Sequence, residues 1–354
     1  MGDVTTRRRL DGLVESCYDG RDATQLRVDA LRRLRTLVSI DAAFFATVDP
    51  LTLLFTSAVS EEPLIEAAAL FMDNEYGPAD VNRFADLAAS DDPVGSLDRA
   101  TRGERRTSRR YTEIMAPLNL GDELRVVLCA GGRAWGVMCL HREDGAAGFS
   151  DSEVALLRNL APHLAEGLRR AHLLDGAGAS ESLSTTGIIV LDRDLRLVSI
   201  NPAAENWLGQ IAEDDWPASA ELPLVVYATA SALNRQTASG ERPHPLPAVT
   251  LRTAAGQWVV IHASHLEAAH ERQTAVVLQP ASPTQLASVY FAARGLTPAQ
   301  ERVASLVVRG NSTQQIVREL HISQHTVQEH LKAVFDKFDV HSRRDLAATL
   351  LTRH

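Results

Sequence analysis

The amino-acid sequence predicts a multidomain protein: two α+β domains in succession, then an all-α domain of four helices. Three observations carry that prediction. A Gly/Ala/Ser-rich stretch from Asp175 to Thr186 separates two segments of similar character. Both segments mix strand-like apolar runs with helical periodicity. The last sixty residues show helical periodicity alone. The expected boundaries are 1–174 for the first domain, 175–186 for a linker, 187–281 for the second domain, 282–294 for another linker, and 295–354 for the helical domain.

The first segment opens with helical patterns around Leu10–Tyr18 and Leu26–Leu37, followed by strand-like runs at Ala42–Val48 and Leu53–Val59. Its clearest local signal is a hairpin: strands at 124–129 and 134–140 flank Gly131-Gly132, which suits a tight turn with positive φ. Ser150 with Glu153 then reads as a capping box. The helix it opens carries Val154, Leu157, Ala161, Leu164 and Leu168 on one stripe, with Pro162 opposing a long uninterrupted coil. The stripe serves either a second copy of the helix or the domain's own sheet. This order of elements resembles a GAF sensory domain over roughly the first 170 residues.

The second segment begins with strands at Gly187–Leu191 and Leu195–Ile200 around an Asp192-Arg193-Asp194 turn. Asn201-Pro202 starts a helix, asparagine as cap and proline pre-set for the first turn, and Trp207-Leu208-Gly209 ends it. Strands at Val249–Thr253, Gln257–Ser264 and Thr274–Gln279 complete a small antiparallel sheet. The opening hairpin with Asn201-Pro202-Ala203-Ala204 resembles a PAS domain.

In the C-terminal segment, Leu296-Thr297-Pro298 opens one helix and Gly310-Asn311-Ser312-Thr313 breaks it. A short helix runs to Leu320, and after a tight turn Ser323 caps a longer one from Gln324 to Phe338. Val327, Leu331, Val334, Phe335 and Phe338 make its apolar stripe, while Gln324, His325, Gln328, Glu329, Lys332 and Asp336 lie opposite. Ser342 and Asp345 announce a last helix with Leu346, Leu350 and Leu351 on one face. Two helices across a turn, the second with a polar outer face, have the layout of a helix-turn-helix.

The residues Leu296-Thr297-Pro298, Glu301, Gly310, Ile316 to Leu320, Ile322-Ser323, Thr326-Val327, His330-Leu331-Lys332, Phe335, Lys337, Val340 and Ser342-Arg343 resemble the LuxR-type helix-turn-helix family. The resemblance implies that the helix Gln324–Phe338 enters the major groove and that the last helix, with Leu346, Leu350 and Leu351, mediates dimerisation. The implied DNA contacts are Thr313, Gln314, Gln324, His325, Thr326, Gln328, Glu329, Lys332 and Lys337. Gln328 suits a bidentate contact to adenine, Glu329 a cytosine amino group, and Thr313 and Gln314 phosphate oxygens. Two positions depart from the family pattern: Val317 stands where alanine is usual, and Gln328 where a cation is common.

Charge limits how such a domain can bind. From Gly295 onward there are eight Lys/Arg and six Asp/Glu, a net of +2, against −9 for the whole 354-residue chain. Few counterions are released per copy, so a homodimer on double-stranded DNA is expected. No run approaches the roughly 20 apolar residues of a membrane span, and three cysteines suit a reducing, cytoplasmic setting.

The same residues bear on other functions. No phosphate loop, nucleophile elbow or carboxylate pair appears, so no enzyme is expected. His141, His163, His262 and His265 are haem-ligand candidates by type, in a fold class that takes haem or another small effector. The second segment lacks the cysteine that flavin photochemistry needs. An ideal two-residue turn sets Cys129 opposite Ala134 and Cys139 opposite Leu124, roughly 17 Å apart along the strand, beyond disulfide reach. The spacing of His321, His325 and His330 is explained by the helical pattern without zinc. Two other functions stay open: a phosphorelay response regulator, which needs a parallel receiver sheet, and a protein-interaction scaffold that has lost DNA binding.

Overall fold

Alternation along the strands of the first domain sorts its side chains between two different cores. The computed structural model describes residues 2–174, 185–211, 222–238, 247–267 and 272–351. In order, the first domain contains α1 (Gly2–Ser16), α2 (Ala23–Leu34), β1 (Ala42–Val48), β2 (Phe55–Ser60), α3 (Ala68–Tyr76), α4 (Phe84–Ala88), β3 (Val94–Ser96), α5 (Leu97–Ala100), β4 (Leu120–Ala130), β5 (Arg133–Glu143) and α6 (Asp151–Leu174). The sheet order is β2-β1-β5-β4-β3, antiparallel throughout, which rules out a receiver's parallel sheet. Phe45, Leu124, Val126, Leu128, Met138 and Leu140 face α1, α2 and α6. Ala46, Val127, Val137 and Cys139 face the other way.

The apolar stripe of α6 is consumed within its own domain: Val154, Leu157, Ala161, Leu164 and Leu168 are buried against the sheet. The helix also runs unbroken through Pro162 for 24 residues. A coil using that stripe is therefore excluded by the packing. Gly131 and Gly132 both take positive φ, as the hairpin requires. A bulge between Leu128 and Cys129 shifts the register beyond the turn, so Cys139 pairs with Arg125 rather than Leu124. Cys129 does sit opposite Ala134.

The second domain contains β6 (Gly187–Leu191), β7 (Leu197–Ile200), α7 (Pro202–Ile211), α8 (Leu224–Ala238), β8 (Ala248–Arg252), β9 (Trp258–Glu267) and β10 (Arg272–Pro280). Its order, β7-β6-β10-β9-β8, repeats that of the first sheet. Asn201 works as a cap: its Oδ1 accepts from the Ala204 and Ile188 amides at 2.9 Å each. Two expected strands start late for one reason. Leu53 and Leu195 adopt left-handed backbone (φ 61° and 60°) and belong to turns, so β2 begins at Phe55 and β7 at Leu197. Sequence reading also passed over α8, an apolar helix that packs on β9 and reaches α3 and β2 of the first domain. Most of the expected first linker, 175–184, lies outside the described residues.

Residues 282–294 are not a linker. They form α9 (Pro283–Ala293), opened by a capping box between Ser282 and Gln285. Leu286, Val289, Tyr290 and Phe291 join the core of the helical domain, while Ala292 and Ala293 join that of the first. Four helices follow: α10 (Pro298–Val308), α11 (Thr313–Leu320), α12 (Gln324–Phe338) and α13 (Arg343–Leu351). Among the described residues no helix is long and apolar enough to cross a membrane.

The three domains meet around an aromatic file. Trp135 of β5, His172 of α6, Trp258 of β9 and Tyr290 of α9 stack successively, with ring centroids 5.6, 5.2 and 6.2 Å apart. Asp49, buried after β1, accepts the Thr250 amide of β8 at 2.8 Å. Arg133, beside the hairpin turn, grips both carboxylate oxygens of Glu301 on α10 at 2.7 and 2.6 Å. The pair is partly exposed, so its worth to stability is small, but it fixes where the helical domain sits. Replacing Arg133 by alanine should raise amide hydrogen exchange along α10 while changing global stability by less than about 1 kcal/mol. Unchanged exchange would mean that the bridge holds nothing.

Candidate nucleic-acid interface and sensory chamber

Helix α12 presents its polar face because its other face is committed. Val327, Leu331, Val334 and Phe338 are buried, packed with Val303, Leu306, Ile316 and Leu346. Ser323 caps the helix by accepting the Thr326 amide at 3.0 Å, and His321 makes the preceding turn in left-handed backbone. Ser312 with Gln315 forms a capping box that opens α11. The turn before α11 is pinned by Arg343, which donates to the Asn311 carbonyl at 3.0 Å and to Thr313 Oγ1 at 2.7 Å.

Gln324, His325, Gln328, Glu329 and Lys332 are all exposed on one side of α12, and Gln314 is exposed near the start of α11. His325 lies 3.5 Å from Glu329. Three residues of the expected set are engaged inside the domain. The Thr326 hydroxyl meets Ser323 Oγ at 2.9 Å. Thr313 holds Arg343. Lys337 lies off the polar face, where its Nζ donates to the Gly295 carbonyl at 2.6 Å and to Gln300 at 2.8 Å. Its charge ties α12 to α10. Leu346 and Leu350 are buried in the domain's own core, so neither side chain is free to meet a second copy, and the side chain of Leu351 lies outside what is described. Val317 is accommodated half-buried against the same core.

A second site lies in the first domain. A chamber is walled by Phe44, Phe55, Phe71 and Phe84, with Glu75, Arg125, Cys139 and His141 supplying polar atoms and Leu224 of α8 closing it from the second domain. The centre of a water molecule has about 40 Å³ in which to move. Behind the wall runs a buried ion network. Arg110, fully buried, donates from Nε to Glu123 at 2.8 Å and from Nη1 to Asn74 at 3.2 Å. Asp80 accepts the Arg110 backbone amide at 2.7 Å. Arg125 Nη1 lies 2.9 Å from Glu75 and donates to the Asn82 carbonyl at 3.0 Å, and its guanidinium lies over the Phe84 ring at 3.9 Å. Glu75 in turn accepts the Phe84 amide at 2.9 Å.

The charge states follow from these contacts. Burial would raise Glu123, yet the charges of Arg110 and Arg125 hold it below the ordinary carboxylate value. Burial pushes His141 down to about 4, so the imidazole is neutral. Burial also pushes Cys139 up to about 12 and Cys17 to about 11, and raises Cys129, so all three thiols stay protonated and unreactive. Glu123, Cys139 and His141 bring three ligand-type atoms within 4.8 Å of one another. Two guanidiniums already on Glu123 repel a cation there.

The histidines weighed as haem ligands do not converge. His163 on α6 meets the Tyr18 hydroxyl at 2.8 Å, while His262 and His265 fall on opposite faces of β9. Sequence reading missed Glu75, Asp80, Arg110, Glu123 and Arg125. The available signal was two charges, Glu123 and Arg125, alternating with apolar residues in a strand.

A polar helix face carried on a helix-turn-helix, behind a domain with an enclosed chamber, defines a DNA-binding regulator joined to a sensory domain. Residues 294–350 match the family model described as bacterial regulatory proteins, luxR family, and residues 29–168 match that of the GAF domain. No curated protein matches the chain. Among solved structures, the Vibrio cholerae VqmA–ligand–DNA complex is 18% identical over 48% of this chain and 82% of that one, with a TM-score of 0.21. The VqsR LBD domain from Pseudomonas aeruginosa is 15% identical over 48% and 96%, with a TM-score of 0.30. The Escherichia coli DhaR(N)–DhaL complex is 11% identical over 79% and 89%, with a TM-score of 0.24.

Two outcomes test the buried network. Arg110→Ala strands Glu123 and should cost about 3–5 kcal/mol, whereas Arg109→Ala, with exposed partners Asp73 and Glu113, should stay within about 0.5 kcal/mol. Urea unfolding separates them. The second outcome concerns pH. Packing between two tryptophans leaves His172, like His141, lowered to about 4 from an unfolded value of 6.5. In that window the unfolded chain binds protons that the folded one does not. Stability is therefore intact above pH 6.5 and falls as pH drops towards 4, by up to about 1.4 kcal/mol per unit for each histidine. Urea midpoints between pH 7.5 and 5 should fall, with a shallower slope in His172→Phe.

Proposed function

We propose that this chain is a sequence-specific transcription regulator that reads double-stranded DNA as a dimer and is governed by a small molecule in the chamber of its first domain. The observation that carries this reading is the single exposed stripe Gln324, His325, Gln328, Glu329 and Lys332, on a helix whose opposite stripe is locked into a core. Lys332 suits a guanine edge or a phosphate, Gln328 an adenine. Gln314 at the start of the short helix suits phosphate. With Lys337 turned inward, the groove face offers one lysine per copy, which makes pairing of two copies the route to tight binding.

A dimer contact through α13 uses a face other than that of Leu346 and Leu350. The second domain, whose opening hairpin with Asn201-Pro202-Ala203-Ala204 resembles a PAS domain, lies between sensor and reader and relays the chamber's state through α8 and α9. The protein's role is binding rather than catalysis.

Selection of bound fragments from random DNA tests this reading. The wild-type chain should enrich an inverted repeat, and Lys332→Ala should lose it. Absence of enrichment at low salt would sink the DNA-reading role.

A further inference from the structure

The outer face of the second domain's sheet departs from the usual pattern of a half-covered sheet. An antiparallel sheet with one face on a core alternates apolar inward with polar outward. Ile189, Leu191, Ile261, Val276 and Leu278 do face inward, beneath α7 and α8. The outward positions between them are largely apolar as well. The register sets Val277 between Ile188 and His262, Ala275 between Val190 and Ser264, and Gln273 beside Leu266. Among the described residues of β6, β9 and β10, the outward positions of these pairings carry no Asp, Glu, Lys or Arg. His262 is held below its ordinary value by burial, so at neutral pH it too is uncharged.

One end of this face is closed, because Trp258 lies against His172 of α6 and Tyr290 of α9. The other end is open. Ile188 keeps 43% of its surface exposed and Leu266 39%, while Val198, at the irregularity in the pairing of β7 with β6, keeps 51%.

Charge selects the occupant. The chain carries −9 overall, so two copies repel over most of their surface. A two-fold contact sets a patch against the same patch of the partner, where any excess of one charge would oppose itself. A face without charge meets that condition and offers nothing to a charged partner. Two other apolar faces are spent inside the chain: the α6 stripe on the first domain's sheet, and Leu346 with Leu350 on the helical core. Position agrees with this. Strand β10, within the open face, ends at Pro280, and only Ala281 and Ser282 separate it from α9, which leads to the reader. Two copies joined here hold their readers at a set spacing, as an inverted repeat requires.

We propose that the outer face of the sheet β7-β6-β10-β9 is the surface through which two copies of this chain pair, centred on Ile188, Val190, Ala275 and Val277. The inference deepens the dimeric reading above and rests on it. Four strands about 4.8 Å apart, each crossed over five residues of about 3.4 Å, give roughly 300 Å² of sheet per copy. Stable pairs bury about 1,200 Å² or more in total. This contact alone therefore makes a weak, concentration-dependent dimer, which two readers on one DNA site consolidate.

Sedimentation velocity of the full chain without DNA, from about 1 μM to about 100 μM, tests it. The wild type should pass from monomer to dimer over that range. Ile188→Glu should raise the dissociation constant roughly tenfold or more, since it sets like charges together in a face that must dry. Val198→Glu, at the most exposed of these positions, should do the same and is the companion if the first variant fails to fold. Val28→Glu, 45% exposed on α2 and outside the face, should leave the dimer as it is. A dimer unaffected by both sheet variants, or weakened by Val28→Glu instead, would overturn the location. A wild type that stays monomeric throughout would overturn the second copy as occupant; if it still enriches an inverted repeat from random DNA, the dimeric reader stands without this face. A dimer that behaves as expected but enriches no DNA would keep the face and remove the reading of DNA.

Discussion

The contact between Arg110 and Glu123 is the constraint on which the first domain is arranged. A carboxylate buried to this depth is tolerable only with cations beside it, here Arg110 and, 3.5 Å from its other oxygen, Arg125. Arg110 opens a short helical turn, Tyr111–Met115, between β3 and β4, and reaches Glu123 on the sheet, Asn74 on α3 and the Val81 carbonyl at once. One guanidinium thus ties three separate pieces of chain to one point of the sheet. Because Glu123 is held there, Arg125 two residues on must also face inward, and it finds Glu75 and the Phe84 ring. The chamber is the space these side chains leave between them.

The coupling between domains has a similarly physical basis. Helix α8 belongs to the second domain by chain position, yet it packs on α3 and β2 of the first. Helix α9 divides its apolar residues between the first domain's core and the helical domain's core. Asp49 and Arg133 add two polar ties, one to β8 and one to α10. A displacement at α3 therefore meets packed atoms, not solvent, on the way to α10. Whatever the chamber binds can influence the reader only by favouring one such packing over another.

How far this was legible in the sequence depended on whether the signal was local. The hairpin around Gly131-Gly132, the Asn201 cap, the Ser323 cap and the stripe of α12 are written in residues within one turn or one pair of strands. Each was found, and the LuxR-type resemblance added the reader's role. The chamber was not found, because its polar atoms come from α3 and from the β4–β5 pair that begins some fifty residues further along the chain. Periodicity records which face is buried but not what lies against it. The same limit holds for the face of Leu346 and Leu350, to which the family resemblance assigns a dimer contact and which closes the domain's own core, and for α9, whose apolar faces serve two neighbours. Lys337 shows a finer limit. Its type suited DNA, and only the carbonyl of Gly295 and the amide of Gln300 reveal that it is spoken for.

Leu224 gives the chamber a property that a self-contained cavity lacks. It is the wall contributed by the second domain, so the cavity's size is a measure of the separation between two domains. A fragment ending after α6 would be an open bowl, its floor intact and its lid absent, and would bind any occupant more weakly than the whole chain does. By reciprocity, the free energy with which an occupant prefers the lidded form equals the free energy with which it holds the two domains together. The ligand, in effect, would be part of the joint.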